Sequence, residues 1–143
     1  MTARVSPPND ISFERFEPRH IEGAADLAKA LGWPSYADPQ AARTAFAAPG
    51  AITWLAVAKG KVVGVSHMLT NGIHAHLSLV GVLPDHRRAG IAKRLIAEAF
   101  AQSGAKWLDL WAEPGSEDFY RSFQHQEHAG FRIYPRKPED AGH

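Results

Sequence analysis

The chain has 143 residues, 45% of them apolar and 22% charged, and its 16 basic and 15 acidic side chains leave a net charge of +1. That length and composition suit one globular domain with a sizeable core, and the charge balance gives no global attraction to nucleic acid or to a membrane surface. The absence of cysteine excludes disulfides, thiolate metal sites and a cysteine acyl-enzyme, and fits a reducing, cytoplasmic compartment.

Residues 1–10, with Pro7-Pro8 and Asn9-Asp10, read as a loose leader without the apolar stretch of a signal peptide. No run of about 18 apolar residues is present to span a membrane. Residues 11–16 make a short strand. Pro18 suits an early helical position, and Ile21, Ala24, Leu27, Ala28 and Leu31 form a stripe before Gly32 stops that helix. Asp38-Pro39 opens a second, Ala-rich helix that Pro49-Gly50 ends. Runs 51–58, 61–70 and 73–82 read as strands separated by Lys59-Gly60 and Asn71-Gly72, the second pair being a hairpin signal. A helix over 90–103, stopped by Gly104, precedes a strand over 106–112. After the turn Pro114-Gly115-Ser116 come a short helix over 117–123 and a last strand over 130–134. Residues 135–143 form a polar tail. The folded domain is expected over 11–134, in the α/β (α+β) class with a mixed sheet.

The junction after the third of those strands carries the clearest chemistry. Helix 90–103 has its apolar stripe at Ile91, Ala92, Leu95, Ile96, Ala99 and Phe100. Its first turn leaves main-chain N–H groups without intrahelical partners, and the helix dipole favours an anion there. Gly90 admits close approach to the backbone, Ala92 is nearly as small, and Arg87 and Arg88 add positive charge. These parts suit a pyrophosphate. Neither the G-x-x-x-x-G-K-[ST] nor the G-x-G-x-x-G pattern is present; the segment reads R-x-x-G-x-A from Arg87 to Ala92.

That pattern, with Val82-Leu83-Pro84 before it, resembles the acetyl-CoA-binding motif of the GNAT N-acetyltransferases, [QR]-x-x-G-x-[GA]. The order β-α-α-β-β-β-α-β-α-β, over roughly residues 11–134, is also that family's. The resemblance implies the GNAT fold, a single domain with a twisted mixed β-sheet and helices on both faces. It implies acetyl-CoA as donor, with Arg87, Arg88, Ala89, Gly90, Ile91, Ala92 and Lys93 around the pyrophosphate. The backbone of Val80, Gly81 and Val82 would pair with the pantetheine arm. It places Tyr120, after Phe119, as the acid that protonates the CoA thiolate. A phenol of pKa about 10 can serve a thiol of pKa about 8.5 when geometry helps. The sequence departs from the family at Gln124-His125, where Leu-Gly-Phe is usual, and at Glu113 and Ser116, where Asn and Ala are common.

Strict alternation along 73–82 puts Ile73, Ala75, Leu77, Leu79 and Gly81 on one face and His74, His76, Ser78, Val80 and Val82 on the other. A bulge, if present, would fall at Gly81. His74 and His76 are thereby candidates to touch the acceptor. His74, His76, His67, Glu113 or ordered water would take the amine's proton. Eight histidines do not make a metal site, because beyond the pair His74 and His76 no third ligand is indicated. Trp107 and Trp111 flank Asp109 on one strand face and read as core or helix-packing residues. Trp33 and Tyr36 read either as helix-end packing or as lining for a pocket. The function expected is direct acetyl transfer from acetyl-CoA to an amine in a ternary complex, the acceptor being a small molecule or a peptide. The alternative is a non-catalytic acyl-CoA sensor of the same fold, and a homodimer is a further option.

Overall fold

Two periodicities in the sequence become two kinds of layer in a computed structural model that describes residues 10–136. The chain divides after Leu110 into two compact units. The leader before Asp10 and most of the tail lie outside the described residues.

The first unit holds β1 (Ile11–Arg15), α1 (Ile21–Ala30), α2 (Pro39–Phe46), β2 (Ala51–Ala58), β3 (Lys61–Thr70), β4 (His74–Val82), α3 (Ile91–Ser103) and β5 (Trp107–Leu110), with short 3-10 turns at Pro18–His20, Pro34–Tyr36 and Pro84–His86. Local chemistry sets the boundaries. Asp38 Oδ1 accepts from the N–H groups of Gln40 and Ala41 at 2.9 and 3.1 Å, capping α2 directly before Pro39. The Glu17 N–H donates to His20 Nδ1 at 2.9 Å, which leaves His20 Nε2–H to donate to Glu14 Oε1 at 2.9 Å and ties β1 to the start of α1. Between β3 and β4, Asn71 Oδ1 accepts from the N–H groups of Ile73 and His74, an Asx turn.

The sheet order is β1-β2-β3-β4-β5. The first three pairings are antiparallel, and β4 pairs with β5 in parallel across the α3 crossover. Ile91 and Leu95 of α3 pack on Ala56, Val63 and Val82. On the opposite face Leu27 of α1 packs on Leu55, Val62 and Val65, while Ala24 and Ala25 of α1 meet Ala42 and Phe46 of α2 and Leu79 of β4. Helices thus cover both faces of a five-stranded mixed sheet.

The β3–β4 ladder pairs His67 with Leu79 and Met68 with Leu77, so Ser78 is an extra residue in β4. This bulge corrects the strict alternation read from the sequence, and it lies at Ser78 rather than at Gly81. An extra residue exchanges the faces on either side of it. Thr70 Oγ1 donates to Ser103 O of α3, and Thr70 pairs with Ala75. Ala75 and Leu77 therefore lie on the α3 face, whereas Leu79 and Gly81 lie under α1 and α2. His74 and His76 share the face of Leu79 and Gly81 and are turned away from Val80 and Val82.

The second unit contributes α4 (Glu117–Arg121). No strand forms over 130–134, contrary to expectation. Phe131, Ile133 and Tyr134 are exposed, and Arg132 lies over the Trp111 ring at 5.1 Å. Alternation alone does not make a strand where no ladder partner is supplied. Among the described residues no helix is long and apolar enough to cross a membrane.

His67 is 3% exposed, edge-on to Phe46 at 5.1 Å, with Nδ1 2.8 Å from Thr53 Oγ1. Burial lowers its pKa from the ordinary 6.5 to about 4. Within that window the unfolded chain binds the proton more readily than the folded one. The stability His67 contributes is therefore complete above pH 6.5 and is lost as the pH falls toward 4, by up to about 3 kcal/mol. Urea unfolding at pH 7, 5.5 and 4 should show this acid limb, and His67→Gln should flatten it. Identical limbs in both proteins would assign the acid sensitivity to other groups.

Candidate active site

Among the described residues, the upper half of β4 has no paired strand on the β5 side. The pairing with β5 runs from His74–Trp107 to Leu77–Leu110 and stops one residue before the bulge. Beyond it, Leu83 N–H donates to Val63 O at 2.8 Å. Main-chain groups alternate along a strand, so Leu83 and Gly81 face β3 while Val80 and Val82 present theirs to the opposite edge. Arg87 Nε donates to Val82 O at 2.8 Å. That bond fastens the end of β4 to the loop that follows and gives Arg87 a positioning role.

The same loop leads into α3. Arg88 and Gly90 both adopt left-handed backbone, with φ of +66° and +77°. The conformation costs a non-glycine residue about 1–2 kcal/mol, so Arg88 is strained where Gly90 is not. A Cβ on Gly90 would meet nothing within 4 Å; the dihedral, not space, is what requires glycine there. Gly90 is the N-cap and offers no side chain to its helix. The first intrahelical bond runs from Arg94 N to Gly90 O. The N–H groups of Gly90, Ile91 and Ala92 are consequently left without intrahelical partners at the helix start. Ile91, Leu95, Ile96 and Ala99 are buried and hold the helix axis against the sheet. Within the turn before it, His86 Nδ1 is buried and has no partner among the described residues.

Gly81 is required by packing. A Cβ there would come within 2.8 Å of Leu31 Cδ1 and of Trp33 Cη2. The segment after α1 therefore seats directly on β4, and Trp33 is a packing residue over the upper half of the strand. Tyr36 stacks on Phe46 at 5.7 Å, which makes it part of the α2 packing.

On the lower half of β4 the same face is open. His74 Nε2 lies 2.8 Å from Asp109 Oδ2, and its ring stacks on Trp107 at 5.4 Å. His76 is half-buried beside them, opposite Asp109. Trp107 is 50% exposed rather than core. Its signal was in the sequence: Asp109 shares its strand face two residues on, and a carboxylate on that face argues against burial. Trp111, in the second unit, is also exposed.

Tyr120 is half-buried on α4, with its ring 5.0 Å from Phe119 at 75°. Burial, and then the charge of Glu113, push its pKa above the ordinary 10. The hydroxyl thus stays protonated into alkaline solution. The Gln124-His125 departure is held locally: His125 donates from Nδ1 to Phe123 O at 2.8 Å, and Glu127 binds both His125 Nε2 and Arg121 Nε.

A family model described as an acetyltransferase (GNAT) domain matches residues 22–133. No curated protein matches the chain. Among solved structures, the aminoglycoside N-acetyltransferase AAC(6')-Iy bound to the bisubstrate analogue CoA-S-monomethyl-acetylneamine is similar, with a TM-score of 0.73 at 21% identity over 89% of this chain and 98% of that one. An aminoglycoside acetyltransferase from an uncultured soil metagenomic sample, in complex with sisomicin, gives 0.72 at 17% identity over 90% and 98%. A ribosomal-protein-alanine N-acetyltransferase from Brucella melitensis biovar Abortus 2308 gives 0.67 at 22% over 89% and 98%. At these identities the likeness is one of fold.

The packing at Gly81 is testable. Gly81→Ala should destabilise the fold by about 1–3 kcal/mol, the usual cost of overpacking. The loss should shrink in a Trp33→Leu background, measured as a double-mutant cycle of urea midpoints. Equal losses in both backgrounds would mean that Trp33 does not rest on Gly81.

Proposed function

The chain belongs to the GNAT acetyltransferase family, and from that premise we propose that it transfers an acetyl group from acetyl-CoA to a primary amine by direct attack. The observation that carries the reading is the continuity of two main-chain surfaces. The open edge of β4 beyond Ser78 runs, over one short turn, into the uncapped N-terminus of α3. An elongated donor with a peptide-like arm and a pyrophosphate end matches that sequence of groups. The similar AAC(6')-Iy was solved with a CoA-containing analogue, which supports acetyl-CoA as donor.

On this reading acetyl-CoA supplies the activated acetyl thioester, and the chain binds, orients and moves protons. Val80 and Val82, on either side of Gly81, align the pantetheine amides along the strand edge. The N–H groups of Gly90, Ile91 and Ala92 receive the pyrophosphate, with Ala89 keeping the loop small and Arg88 and Lys93 adding charge. A main-chain N–H at the same edge is placed to polarise the thioester carbonyl. The acceptor amine approaches over the face that carries His74 and His76. Attack needs that amine neutral, and His76, two residues before the bulge where His74 is four, is the nearer of the two to take its proton. The family resemblance, through the Phe119-Tyr120 pair, assigns to Tyr120 the return of a proton to the sulfur. Holding both reactants in register supplies much of the rate. The acceptor class is a small-molecule amine, as for the sisomicin-bound neighbour.

Two substitutions test the donor side. Gly90→Val forces a β-branched residue into left-handed backbone and pushes bulk toward the anion site. Calorimetric affinity for CoA should fall at least about tenfold, with about 1–2 kcal/mol lost in stability. A folded variant that binds CoA as the native protein does would overturn the assignment. Tyr120→Phe keeps the ring and removes the proton donor. CoA affinity should stay close to native while kcat falls by up to about 10²–10⁴-fold, less if amine attack limits the rate. Because the Tyr120 pKa is raised above its ordinary value, the alkaline limb of the rate profile should lie above pH 10 and vanish in the variant. Native turnover with an unchanged limb would leave Tyr120 a packing residue.

A further inference from the structure

One cluster on the open face of the sheet is not needed for binding the donor. Trp107 and His74 sit opposite each other on β5 and β4, and Asp109 follows two residues on, along the same face. Trp107 opens the edge strand β5 and is 50% exposed, an unusual degree of exposure for so large an apolar side chain. It is not disordered surface, since its ring is held against the His74 imidazole with an interplanar angle of 26°. The Asp109 carboxylate is 59% exposed and engages His74 Nε2 through Oδ2, which leaves Oδ1 for a donor from outside. Leu69, 45% exposed on β3 and paired with His76, extends the apolar part of the same face.

An aromatic face beside a carboxylate is a combination that selects cations bearing an apolar surface. The ring attracts an ammonium or the polarised C–H groups next to it, and the carboxylate fixes a second ammonium by charge. We propose that the Trp107–Asp109–His74 cluster selects the acceptor, and that the acceptor is a ring-shaped polyamine. One of its amines is acetylated while another is held by Asp109 with the ring lying over Trp107. The proposal rests on the transferase reading for the identity of the reacting amine, but its binding claim stands on the cluster itself. It also gives His74 a role apart from catalysis: the imidazole orients both the carboxylate and the indole, so it is a positioning residue.

The experiment is a matched pair of ligands titrated into the intact protein. The ligands are 1,3-diaminocyclohexane, a ring with two amines, and cyclohexylamine, the same ring with one. Binding is followed by the Trp107 indole N–H resonance, assigned by its loss in Trp107→Leu. The diamine should bind about fivefold more tightly than the monoamine, the scale of one partly exposed ion pair. In Asp109→Asn, which keeps the side-chain shape, that preference should fall to within about twofold. With acetyl-CoA present, the same preference should reappear in the acceptor KM by a thiol-release assay. Equal affinity for the two ligands, or a preference that survives Asp109→Asn, would overturn the proposal. Failure of acetyl-CoA to bind or to release thiol with either amine would overturn the transferase reading instead, and the indole titration would still decide this one.

Discussion

Much of the site follows from a single extra residue. Ser78 has no partner on β3, and its insertion has two effects that would otherwise need separate causes. It exchanges the faces of β4, so that the strand offers imidazoles below the bulge and small or aliphatic side chains above it on the face that α1 and α2 share. It also coincides with the end of β5, whose last pair is Leu77–Leu110. A parallel strand that stops beside a bulge leaves an edge whose main-chain groups have lost their neighbour. In most proteins such an edge is a hazard to be covered. Here the loop and helix that follow the strand continue it.

The strain at that junction is distributed in a consistent way. Arg88 takes left-handed backbone without being glycine, a cost that persists only where surrounding contacts require it. Two contacts do so. The bond from Arg87 to Val82 O holds the near side of the loop, and the buried stripe Ile91, Leu95, Ile96 and Ala99 holds the far side. Between two fixed ends the loop must turn sharply, and the left-handed residues make the turn. Arginine in the first position of the motif is therefore explained by the strand end as much as by the charge of a ligand.

Local signals in the sequence located most elements. The stripes of α1 and α3, the proline at the start of α2 and the Asn71-Gly72 turn each act within a few residues, and β2 and β3 have the bounds that alternation gave. What escaped depends on pairing between distant segments. Nothing in Leu77-Ser78-Leu79 marks a bulge, because a bulge is a relation between two strands. The faces of β4 and the position of its bulge were consequently misread. Trp107 was taken for a core or helix-packing residue because tryptophan is large and apolar, although the alternation that places Asp109 on its face pointed outward. Residues 130–134 alternate as a strand should, yet a strand needs a ladder, and periodicity does not say where one would come from.

On the reading proposed here, the two halves of the site are built from different materials. The donor half is main chain: an open strand edge and a helix start, which constrain few side chains beyond Gly90 and the small Ala92. The acceptor half is side chain: His74, His76, Trp107 and Asp109, standing on β4 and β5. Backbone geometry tolerates wide substitution provided the bulge, the turn and the helix remain, so the fold is retained at identities of 17–22% among the similar structures. Side-chain recognition has no such tolerance, because replacing one carboxylate or one indole alters what can be held. A scaffold divided in this manner can keep one donor while its acceptor changes. For that reason the exposed residues of β5, not the glycine motif, are where this chain's own specificity should be sought.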